Sequence, residues 1–266
     1  MNLDELQRAS RAQFDGRAAC YGAGHILSDV SDVAGALDGL GNEALDPALD
    51  VATGAGHTAV HLASRGLRVT ATDISEGMLE QTRQTAAASG LAVATACRAA
   101  EDLLYDDSTF GLVTCRTAAH HFSGIVKFLR EAFRVLRPGG WLLVIDGAAP
   151  EDNPVAEDWI HRVEKLRDPS HARFLRPSEW RALAEEAGFE VRRCGCHPLK
   201  QPDLEWYFRT AGTAPENRAA VRALLEKAPV DARRVFGVAE EDGRTVWWWP
   251  RMTLLGRRPE VAKSGP

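Results

Sequence analysis

The stretch LDVATGAGHTA, residues 49–59, constrains the fold of this 266-residue chain more than any other part of its sequence. A short apolar run meets a glycine-rich turn there, and a helical pattern of apolar residues follows the turn. Phosphates, dinucleotides and other small ligands bind at strand–turn–helix units of this kind. The sequence therefore predicts a small-molecule site at this turn and leaves the ligand open.

Strands and helices alternate strictly from residue 47 to residue 147. The turn leads into a helix that ends at Gly66, and then come the strand LRVTATD, a helix over residues 75–90 that Ser75 caps, and the strand LAVATAC. The strand FGLVTCR, a long helix HHFSGIVKFLREAFRVLRPGG and the strand WLLVIDG complete the series. This alternation predicts a parallel sheet with right-handed crossovers and helices on both faces.

The rhythm changes after residue 150. PSEWRALAEEAGF is typical of a helix, EVRRCGCH of a sixth strand and TVWWWPRMTLLGRR of a last, long strand. Residues 151–176 are polar and partly helical in pattern. Residues 202–240 precede that last strand, and two or three short helices are predicted within residues 202–236. We expect these two segments to form a lid that contributes substrate contacts.

We predict a single domain over residues 1–266. Its N-terminal helices occupy residues 1–45, with amphipathic segments at 3–14 and 26–40, and its cofactor-binding core occupies residues 46–150.

Composition excludes several classes of protein. The formal charge of −5, with arginines scattered along the chain, argues against a nucleic-acid-binding protein. No apolar run approaches the roughly 20 residues that cross a bilayer, and the N-terminus lacks the apolar core of a signal peptide. We therefore expect a cytoplasmic protein, a monomer or a homodimer, with reduced cysteines. The CGC segment lacks the paired spacing of a zinc site, so no metal is expected.

Two classes of ligand fit the glycine turn. Gly54, Gly56 and Ala59 satisfy a loose dinucleotide pattern, and Asp73 lies about 20 residues downstream, where it can bind a ribose. A nicotinamide oxidoreductase is therefore an admissible alternative. Asp50 argues against it, because a carboxylate just before the turn would repel a pyrophosphate and would suit a ligand with an ammonium group.

The segments downstream of the turn also favour a ligand with an ammonium group. LDVATGAGHTA, VTATDISEGML, AAEDLLYDDSTFGLVTCR and VLRPGGWLLVIDG form an ordered series. In this series the chain resembles class I S-adenosylmethionine-dependent methyltransferases, and most of all the ubiquinone/menaquinone C-methyltransferase-like superfamily (methyltransferase type 11). The resemblance covers roughly residues 15–195. With the pattern described above, it implies a doubly wound, Rossmann-like α/β fold with a seven-stranded sheet, an antiparallel last strand and a helical lid insertion.

The resemblance implies roles for the residues of the turn. Asp50 would orient the turn and hold the methionine ammonium group, directly or through water. Ala52, Gly54 and Gly56 would let the backbone approach the methionine part closely. Asp73 would accept hydrogen bonds from both ribose hydroxyls.

Other residues would surround the remainder of S-adenosylmethionine, the cofactor that the resemblance implies, with S-adenosylhomocysteine as its product. These residues follow strand ends or lie in the N-terminal segment. Ile74 and Met78 would pack on the adenine face, and Ala100 and Glu101 would contact the adenine edge. Arg116 and Thr117 would lie beside the methyl group, and Tyr21 would cover the cofactor. Met78 taken alone is more often a core residue, and Glu101 could be a solvated loop acid.

Three positions depart from the family pattern. Ala52 stands where many members have the first glycine, although the quinone-type branch shares alanine. Ala99 stands where a polar side chain often binds the adenine amine. Gly111 replaces the usual aspartate of the fourth strand.

Substrate residues are expected after the fourth and fifth strands and in the lid, because ligands of doubly wound sheets bind at the carboxyl ends of strands. The candidates are Arg116, His120, His121, Asp146, His171 and Arg173, with Tyr21 and His25 before the first strand. Methyl transfer needs mainly positioning, and it needs a base only when the acceptor must lose a proton.

We predict catalytic roles for His121, His171 and Arg116. His121 is placed at the start of the long helix, whose dipole would favour the neutral ring, and it is the first candidate for a base. A capping or packing role for His121 and a plain loop position for His171 are the structural alternatives.

Aromatic residues in the lid region suit a small hydrophobic or aromatic acceptor, as in quinone or specialised metabolism. The segments concerned are WYF at residues 206–208 and WWW at residues 247–249, for which sheet packing is the default role. A fold that binds the cofactor without transferring methyl remains an alternative, because fold does not fix function.

Overall fold

The computed structural model of the protein describes residues 3–22 and 25–260. Its centre is a seven-stranded sheet with the strand order β3-β2-β1-β4-β5-β9-β6. The strands, in chain order, are β1 Ala48–Val51, β2 Val69–Asp73, β3 Ala94–Cys97, β4 Phe110–Arg116, β5 Leu136–Gly147, β6 Glu190–Lys200, β7 Ala239–Glu241, β8 Arg244–Val246 and β9 Trp248–Arg257. Strands β1 to β5 pair in parallel, whereas β9 runs antiparallel to both of its neighbours, β5 and β6. The predicted fold class is confirmed.

Helices cover both faces of the sheet. The α-helices are α1 Glu5–Asp15, α2 Ser31–Ala36, α3 Asn42–Leu45, α4 His57–Ser64, α5 Glu76–Ala88, α6 Ile125–Val135, α7 Pro154–Arg167, α8 Pro177–Glu186, α9 Leu204–Ala211, α10 Pro215–Glu226 and α11 Val230–Phe236. Short 3₁₀ helices lie at Ala18–Tyr21, Ile26–Ser28 and Ala119–His121.

Alternation along the strands divides the core into two clusters. Leu49 and Val51 of β1 pack with α6 and α8 on one face. Ala48 packs with Leu45 of α3 and Leu62 of α4 on the other. All four residues of β1 are buried, as expected for a central strand covered on both sides. The carboxyl end of β1 is therefore held rigidly at the point where the strand order reverses.

A third cluster forms the lid. Residues from α7, α9, α10 and α11 pack around Trp159, Tyr207, Phe236 and Trp247, all of them buried. The predicted short helices over residues 202–236 are thus three in number, and the aromatic residues Tyr207 and Trp247 are core residues of the lid.

Several predicted elements differ in their bounds. The long helix predicted from His120 begins only at Ile125, and its proline–glycine end belongs to β5, because Leu136 pairs with Phe110. The helix predicted over residues 26–40 is a 3₁₀ turn followed by the short α2.

The last predicted strand is divided in two. β8 pairs with β7 in a hairpin, Trp247 turns into the lid, and β9 then enters the sheet.

Within the described ranges, no helix is both long and apolar enough to span a bilayer. Among the same residues, no group of three or more histidine, cysteine, aspartate or glutamate side chains is arranged to hold a metal ion. Cys194 and Cys196 both have free thiols.

Candidate active site

The glycine turn after β1 has an unusual backbone. Gly54 and Gly56 have φ angles of 57° and 83°, and Ala52 has a φ of 52° although it carries a side chain. A Cβ at Gly56 would lie 2.8 Å from Cγ2 of Thr82, so only glycine lets α4 and α5 approach this closely. A Cβ at Gly54 would meet open space. The turn is therefore closed on the side of the helices and open beside Gly54.

Asp50 lies underneath the turn. Its carboxylate accepts hydrogen bonds from the hydroxyls of Thr53 and Thr114, each at 2.6 Å, and its side chain is fully buried. Burial raises the pKa of Asp50 to about 6, against the effect of these hydrogen bonds. Asp50 does not line the cavity beside the turn. Its contacts fit the predicted role of orienting the turn and do not supply a direct contact with a ligand.

Asp73 ends β2 and faces the turn directly. Its Oδ2 atom accepts a hydrogen bond from the Gly54 amide at 3.0 Å, and its Oδ1 atom accepts one from the Ser75 amide at 2.9 Å. Burial raises the pKa of Asp73 to about 6, and the charge of Asp50 adds to this rise. Ser75 caps α5 through its hydroxyl, as predicted. Asp73 is therefore fixed at the rim of the cavity beside the turn.

That cavity, which we call the turn cavity, brings together ten of the twelve predicted cofactor residues. They line it from several strand ends and from the N-terminal segment, and they are Tyr21, Ala52, Gly54, Asp73, Ile74, Met78, Ala100, Glu101, Arg116 and Thr117. Asp50 and Gly56 are the two that do not line it. Both support the turn from behind.

Helix α1 supplies a wall that the sequence analysis missed. Gln7, Ser10 and Phe14 line the turn cavity. Gln7 and Ser10 are buried although both are polar, and their spacing of three places them on one face of the helix. Polar residues on the inward face of an otherwise amphipathic helix were the available signal.

Glu101 joins α1 to the start of α6. Its Oε2 atom accepts a hydrogen bond from Nε2 of Gln7 at 2.8 Å, and its Oε1 atom accepts from the amides of Ser123 and Gly124 at 3.1 and 3.2 Å. Glu101 is therefore more than a solvated loop acid. It organises the edge of the turn cavity.

Arg116 holds the N-terminal segment against the sheet. Its guanidinium group forms an ion pair with Asp32 at 3.0 Å and donates a hydrogen bond to the Leu27 carbonyl oxygen at 2.7 Å. Its Nη2 atom also donates to the Asp29 carbonyl oxygen. The predicted catalytic role does not fit these contacts, because they occupy the guanidinium group in fastening the segment.

A second cavity adjoins the first. We call it the histidine cavity, because His25, His120 and His121 line it. Aromatic side chains form much of the remaining wall, from Phe174, Trp206 and Trp249. The two cavities share five lining residues, which are Phe14, Tyr21, Leu27, Thr117 and His121. A molecule in one cavity would therefore lie against the same side chains as a molecule in the other.

His120 and Asp146 form a buried pair at the histidine cavity. Nδ1 of His120 lies 2.6 Å from Oδ1 of Asp146, and the His120 amide donates to Oδ2 of the same carboxylate at 2.8 Å. Burial by itself lowers the pKa of His120, but the attraction of Asp146 outweighs it and raises the pKa above its ordinary value. The sequence analysis named both residues as substrate candidates but did not pair them. The available signal was their position, since Asp146 lies at the carboxyl end of β5 and His120 follows the neighbouring parallel strand β4.

His121, the first predicted base, lies elsewhere than expected. It belongs to the 3₁₀ turn Ala119–His121 and not to the first turn of α6, so the argument from the helix dipole is wrong. Burial, followed by the charge of His120, lowers its pKa to about 4. Its Nδ1 atom lies 3.1 Å from the Ser170 carbonyl oxygen, and its ring packs edge-on against Phe14 at 5.0 Å. His121 lines both cavities and lies where they adjoin.

The prediction for His171 does not fit its position either. Its side chain is buried and lines neither cavity. It packs behind His120 and against Phe174, with ring centroids 5.5 and 4.7 Å away, and burial strongly lowers its pKa. Arg173 likewise lines neither cavity, and it forms an ion pair with Glu179.

Comparison with known proteins agrees with this architecture. Residues 49–144 match the sequence model of a family described as a methyltransferase domain. The chain is 30% identical, over 78% of its length and 82% of the relative, to an uncharacterized methyltransferase of Bacillus subtilis, YcgJ. It is 30% identical to a ubiquinone biosynthesis O-methyltransferase of Chromobacterium violaceum, over 54% of the chain and 64% of that enzyme.

A solved structure is also similar. A protein from Bacillus halodurans, reported as a methyltransferase candidate, superposes with a TM-score of 0.79 at 32% identity, covering 86% of this chain and 99% of that one. The chain belongs to the class I S-adenosylmethionine-dependent methyltransferases. Membership of this family argues against the alternative of a nicotinamide oxidoreductase.

Proposed function

We propose that the protein transfers a methyl group from S-adenosylmethionine, bound in the turn cavity, to a small aromatic or hydrophobic acceptor bound in the histidine cavity. The observation that carries the proposal is the shared wall of the two cavities, formed by Phe14, Tyr21, Leu27, Thr117 and His121. Methyl transfer is an in-line displacement, so donor and acceptor must lie against each other. Two adjoining cavities with common side chains meet this requirement.

The lining of the turn cavity fits the cofactor. The open space beside Gly54 leaves room for backbone contact with the methionine part, and Asp73 offers carboxylate oxygens to ribose hydroxyls. Ile74 and Met78 supply an apolar surface for the adenine. When bound, S-adenosylmethionine supplies an activated methyl group on a sulfonium sulfur, so most of the protein's task is positioning.

The lining of the histidine cavity favours an acceptor with an aromatic or apolar body. Phe14, Tyr21, Phe174, Trp206 and Trp249 contribute ring surfaces to one small space. Apolar, aromatic-lined cavities with a few polar groups are typical of small-molecule sites. The similarity to an enzyme named as a ubiquinone biosynthesis O-methyltransferase is consistent with such an acceptor.

His120 is the side chain best arranged to remove a proton from an acceptor hydroxyl. Asp146 fixes Nδ1, which leaves Nε2 as the ring nitrogen available for the acceptor. The hydroxyl proton would pass to Nε2, and the negative charge of Asp146 would stabilise the resulting imidazolium. The freed oxygen lone pair would then form the new bond to the methyl carbon, while the carbon–sulfur bond would break and its electron pair would leave with the sulfur of S-adenosylhomocysteine. His120 replaces His121 and His171 as our candidate base.

Calorimetry with S-adenosylmethionine, S-adenosylhomocysteine and NAD tests the cofactor assignment. We expect the first two to bind and NAD not to bind. Asp73→Ala should weaken binding of S-adenosylhomocysteine by about tenfold or more, because it removes hydrogen bonds to a charged acceptor. Asp107→Ala, a change of an exposed surface carboxylate, is the matched control and should leave the affinity unchanged.

Turnover tests the second half of the proposal. A screen of hydroxylated aromatic compounds with a labelled methyl donor should yield a labelled product. Binding of the cofactor without turnover of any such acceptor would favour a protein that uses the fold for another purpose. Unchanged affinity in Asp73→Ala would refute the placement of the ribose.

A further inference from the structure

We infer that the acceptor carries two neighbouring hydrogen-bond donors, namely the hydroxyl that faces His120 and a second O–H or N–H group that donates to Nε2 of His121. This inference rests on the proposed function and specifies the chemistry of its acceptor. It makes His121 a residue that selects the acceptor. The hydrogen bonds that hold the His121 ring, and the contact of that ring with His120, carry the inference.

Ser170 fixes the position of the proton on the His121 ring. Nδ1 of His121 lies 3.1 Å from the carbonyl oxygen of Ser170 and 3.1 Å from its hydroxyl oxygen. The Ser170 hydroxyl donates its hydrogen to Oδ1 of Asp168 at 2.6 Å, and the Ser170 amide donates to the same oxygen at 2.9 Å. Both oxygens of Ser170 can therefore only accept from His121, so Nδ1 of His121 carries a hydrogen.

The His121 ring is neutral at pH 7. Burial, followed by the charge of His120, lowers its pKa to about 4, although the carboxylate of Asp168 acts in the opposite direction. A neutral imidazole holds a single proton, and here that proton is on Nδ1. Nε2 of His121 is therefore left with a lone pair and can only accept a hydrogen bond.

Nε2 of His120 and Nε2 of His121 are both open to a ligand. Neither atom has a hydrogen-bond partner among the described residues, and neither is enclosed by protein. Both rings line the histidine cavity, whereas the partners of their Nδ1 atoms, Asp146 and Ser170, do not line it. The two ring centroids are 4.1 Å apart, so the rings touch and one small molecule can reach both Nε2 atoms.

Both nitrogens need a hydrogen from the ligand when His120 is unprotonated, as a base must be. A hydroxyl has one hydrogen, so an acceptor with a single hydroxyl can donate to only one of the two rings. A ligand that displaces water from the other ring without replacing its hydrogen bond loses affinity. His121 also lines the turn cavity, so the second donor of the acceptor would lie where the two cavities adjoin.

Nitrogen–proton correlation spectra of the histidine rings test the position of the proton. They are recorded on the full chain at pH 7 with S-adenosylhomocysteine present, and the signals of His121 are identified by their loss in His121→Gln. We expect a protonated Nδ1 and an unprotonated Nε2. A proton on Nε2, alone or together with one on Nδ1, would overturn the inference, because His121 could then donate to the acceptor.

Two matched pairs of small phenols test the chemistry of the acceptor. They are catechol with ortho-cresol and resorcinol with meta-cresol, and in each pair a methyl group replaces one hydroxyl. Ligand-observed NMR titration of the full chain, with S-adenosylhomocysteine present, gives the four affinities. We expect at least one diol to bind about fivefold or more tightly than its cresol, because the cresol leaves one ring nitrogen unpaired.

His121→Phe removes the accepting nitrogen and keeps a ring. It should lower the affinity for the preferred diol to that for the matched cresol, without weakening the binding of the cresol. His121→Gln, whose side-chain oxygen can accept in place of Nε2, should retain part of the preference. His197→Phe changes an exposed histidine that lines neither cavity, and it should alter none of the four affinities.

Equal affinities within both pairs, or a preference for a diol that survives His121→Phe, would overturn the inference. The affinity for S-adenosylhomocysteine and the transfer of a labelled methyl group, measured on the same protein, report on the proposed function separately. Methylation of the cresols as readily as the diols would support the proposed function and refute the need for a second donor. A preference that depends on His121, in a protein that neither binds the cofactor nor transfers methyl, would refute the proposed function and leave the binding role of His121 standing.

Discussion

At the scale of single residues, the site depends on carboxylates that are buried next to the groups they orient. Asp50 holds two threonine hydroxyls under the turn, Asp73 holds the Gly54 amide, and Asp146 holds His120. Each carboxylate comes from the end of a different strand of the sheet. The rigidity of the sheet is thereby passed to the side chains around both cavities.

The pair of His120 and Asp146 leads to a prediction on rate. His120→Gln should lower kcat for a hydroxyl acceptor by about 100-fold or more, because a general base contributes roughly that much. Binding of S-adenosylhomocysteine should not change. Since the pKa of His120 is raised and the base must be unprotonated, the wild-type rate should climb with pH through a value above 6.5, and this limb should vanish in the variant.

His161→Gln is the control for this prediction, because His161 lies near the same cluster and lines neither cavity. Full activity of His120→Gln together with a loss of activity in His121→Gln would show that the base is His121, as the sequence alone suggested.

Several residues could be placed from the sequence and others could not. Asp73 was placed by its spacing from the glycine turn, and Ile74 and Met78 were placed by the resemblance to a methyltransferase family; all three line the turn cavity. The pairing of His120 with Asp146 depends on the register between β4 and β5, which no local pattern specifies. Gly111 was noticed as a departure, but its cause is tertiary, since a Cβ there would lie 2.7 Å from the Ala44 carbonyl oxygen.

At the scale of elements, the N-terminal segment acts as a cover that polar contacts fasten to the sheet. Asp15 accepts hydrogen bonds from the Ser75 hydroxyl and the Gly77 amide, at 2.6 and 3.2 Å, and so ties α1 to α5. Asp32, in α2, pairs with Arg116 and Arg251. The segment thus contributes walls to both cavities, and the two carboxylates that fasten it, Asp15 and Asp32, line neither cavity.

The shared ion pair of Asp32 gives a prediction about this cover. Asp32→Asn should raise the Kd for S-adenosylhomocysteine about three- to tenfold, because one buried charge pair with each arginine is lost. Hydrogen exchange over residues 27–36 should become faster in the same variant. Asp38→Asn is the control, since Asp38 is exposed.

An Asp32→Asn protein with normal exchange and normal affinity would show that the apolar contacts of Val33 and Leu37 hold the segment without the ion pairs. Faster exchange with normal affinity would show that the cover is loosened without consequence for the cofactor.

The bounds of a strand or helix could be predicted where the local sequence pattern alone determines them. Strand β4 has the predicted bounds, because six of its seven residues, Phe110 to Cys115, are apolar or small and a polar segment precedes them. The start of α6 was misplaced because it depends on Glu101, whose carboxylate accepts from the Ser123 and Gly124 amides. A residue more than 20 positions away cannot be read from the local periodicity of a helix.

At the scale of the whole molecule, buried ionisable groups link stability to pH. His25 and His121 have pKa values of about 4 when folded, below the ordinary 6.5. Below pH 6.5 the unfolded chain therefore binds more protons at these histidines than the folded chain does. As a result, they lower the free energy of unfolding as the pH falls towards 4. Asp50 and Asp73, with folded pKa values of about 6, act in the opposite direction over the same range, because the folded state takes up their protons.

We predict that the histidines dominate, because burial also lowers the pKa of His57, His61, His161, His171 and His197. The denaturation midpoint in urea should fall steadily from pH 7 to pH 4.5. His25→Phe and His121→Phe should each flatten this slope. A midpoint that rises over the same range would mean that the two aspartates outweigh the histidines.

Strand β9 runs from the lid into the sheet without interruption. Trp247 just before it is part of the lid cluster, Trp249 and Arg251 line the histidine cavity, and Leu254 lies in the main core. Backbone ladders to β5 and β6 hold the strand on both sides. One continuous strand therefore contributes to the lid, to the wall of the histidine cavity and to the core of the sheet. If an acceptor binds in that cavity, we expect this fixed strand to restrict the shape of the acceptor more than a moving lid would.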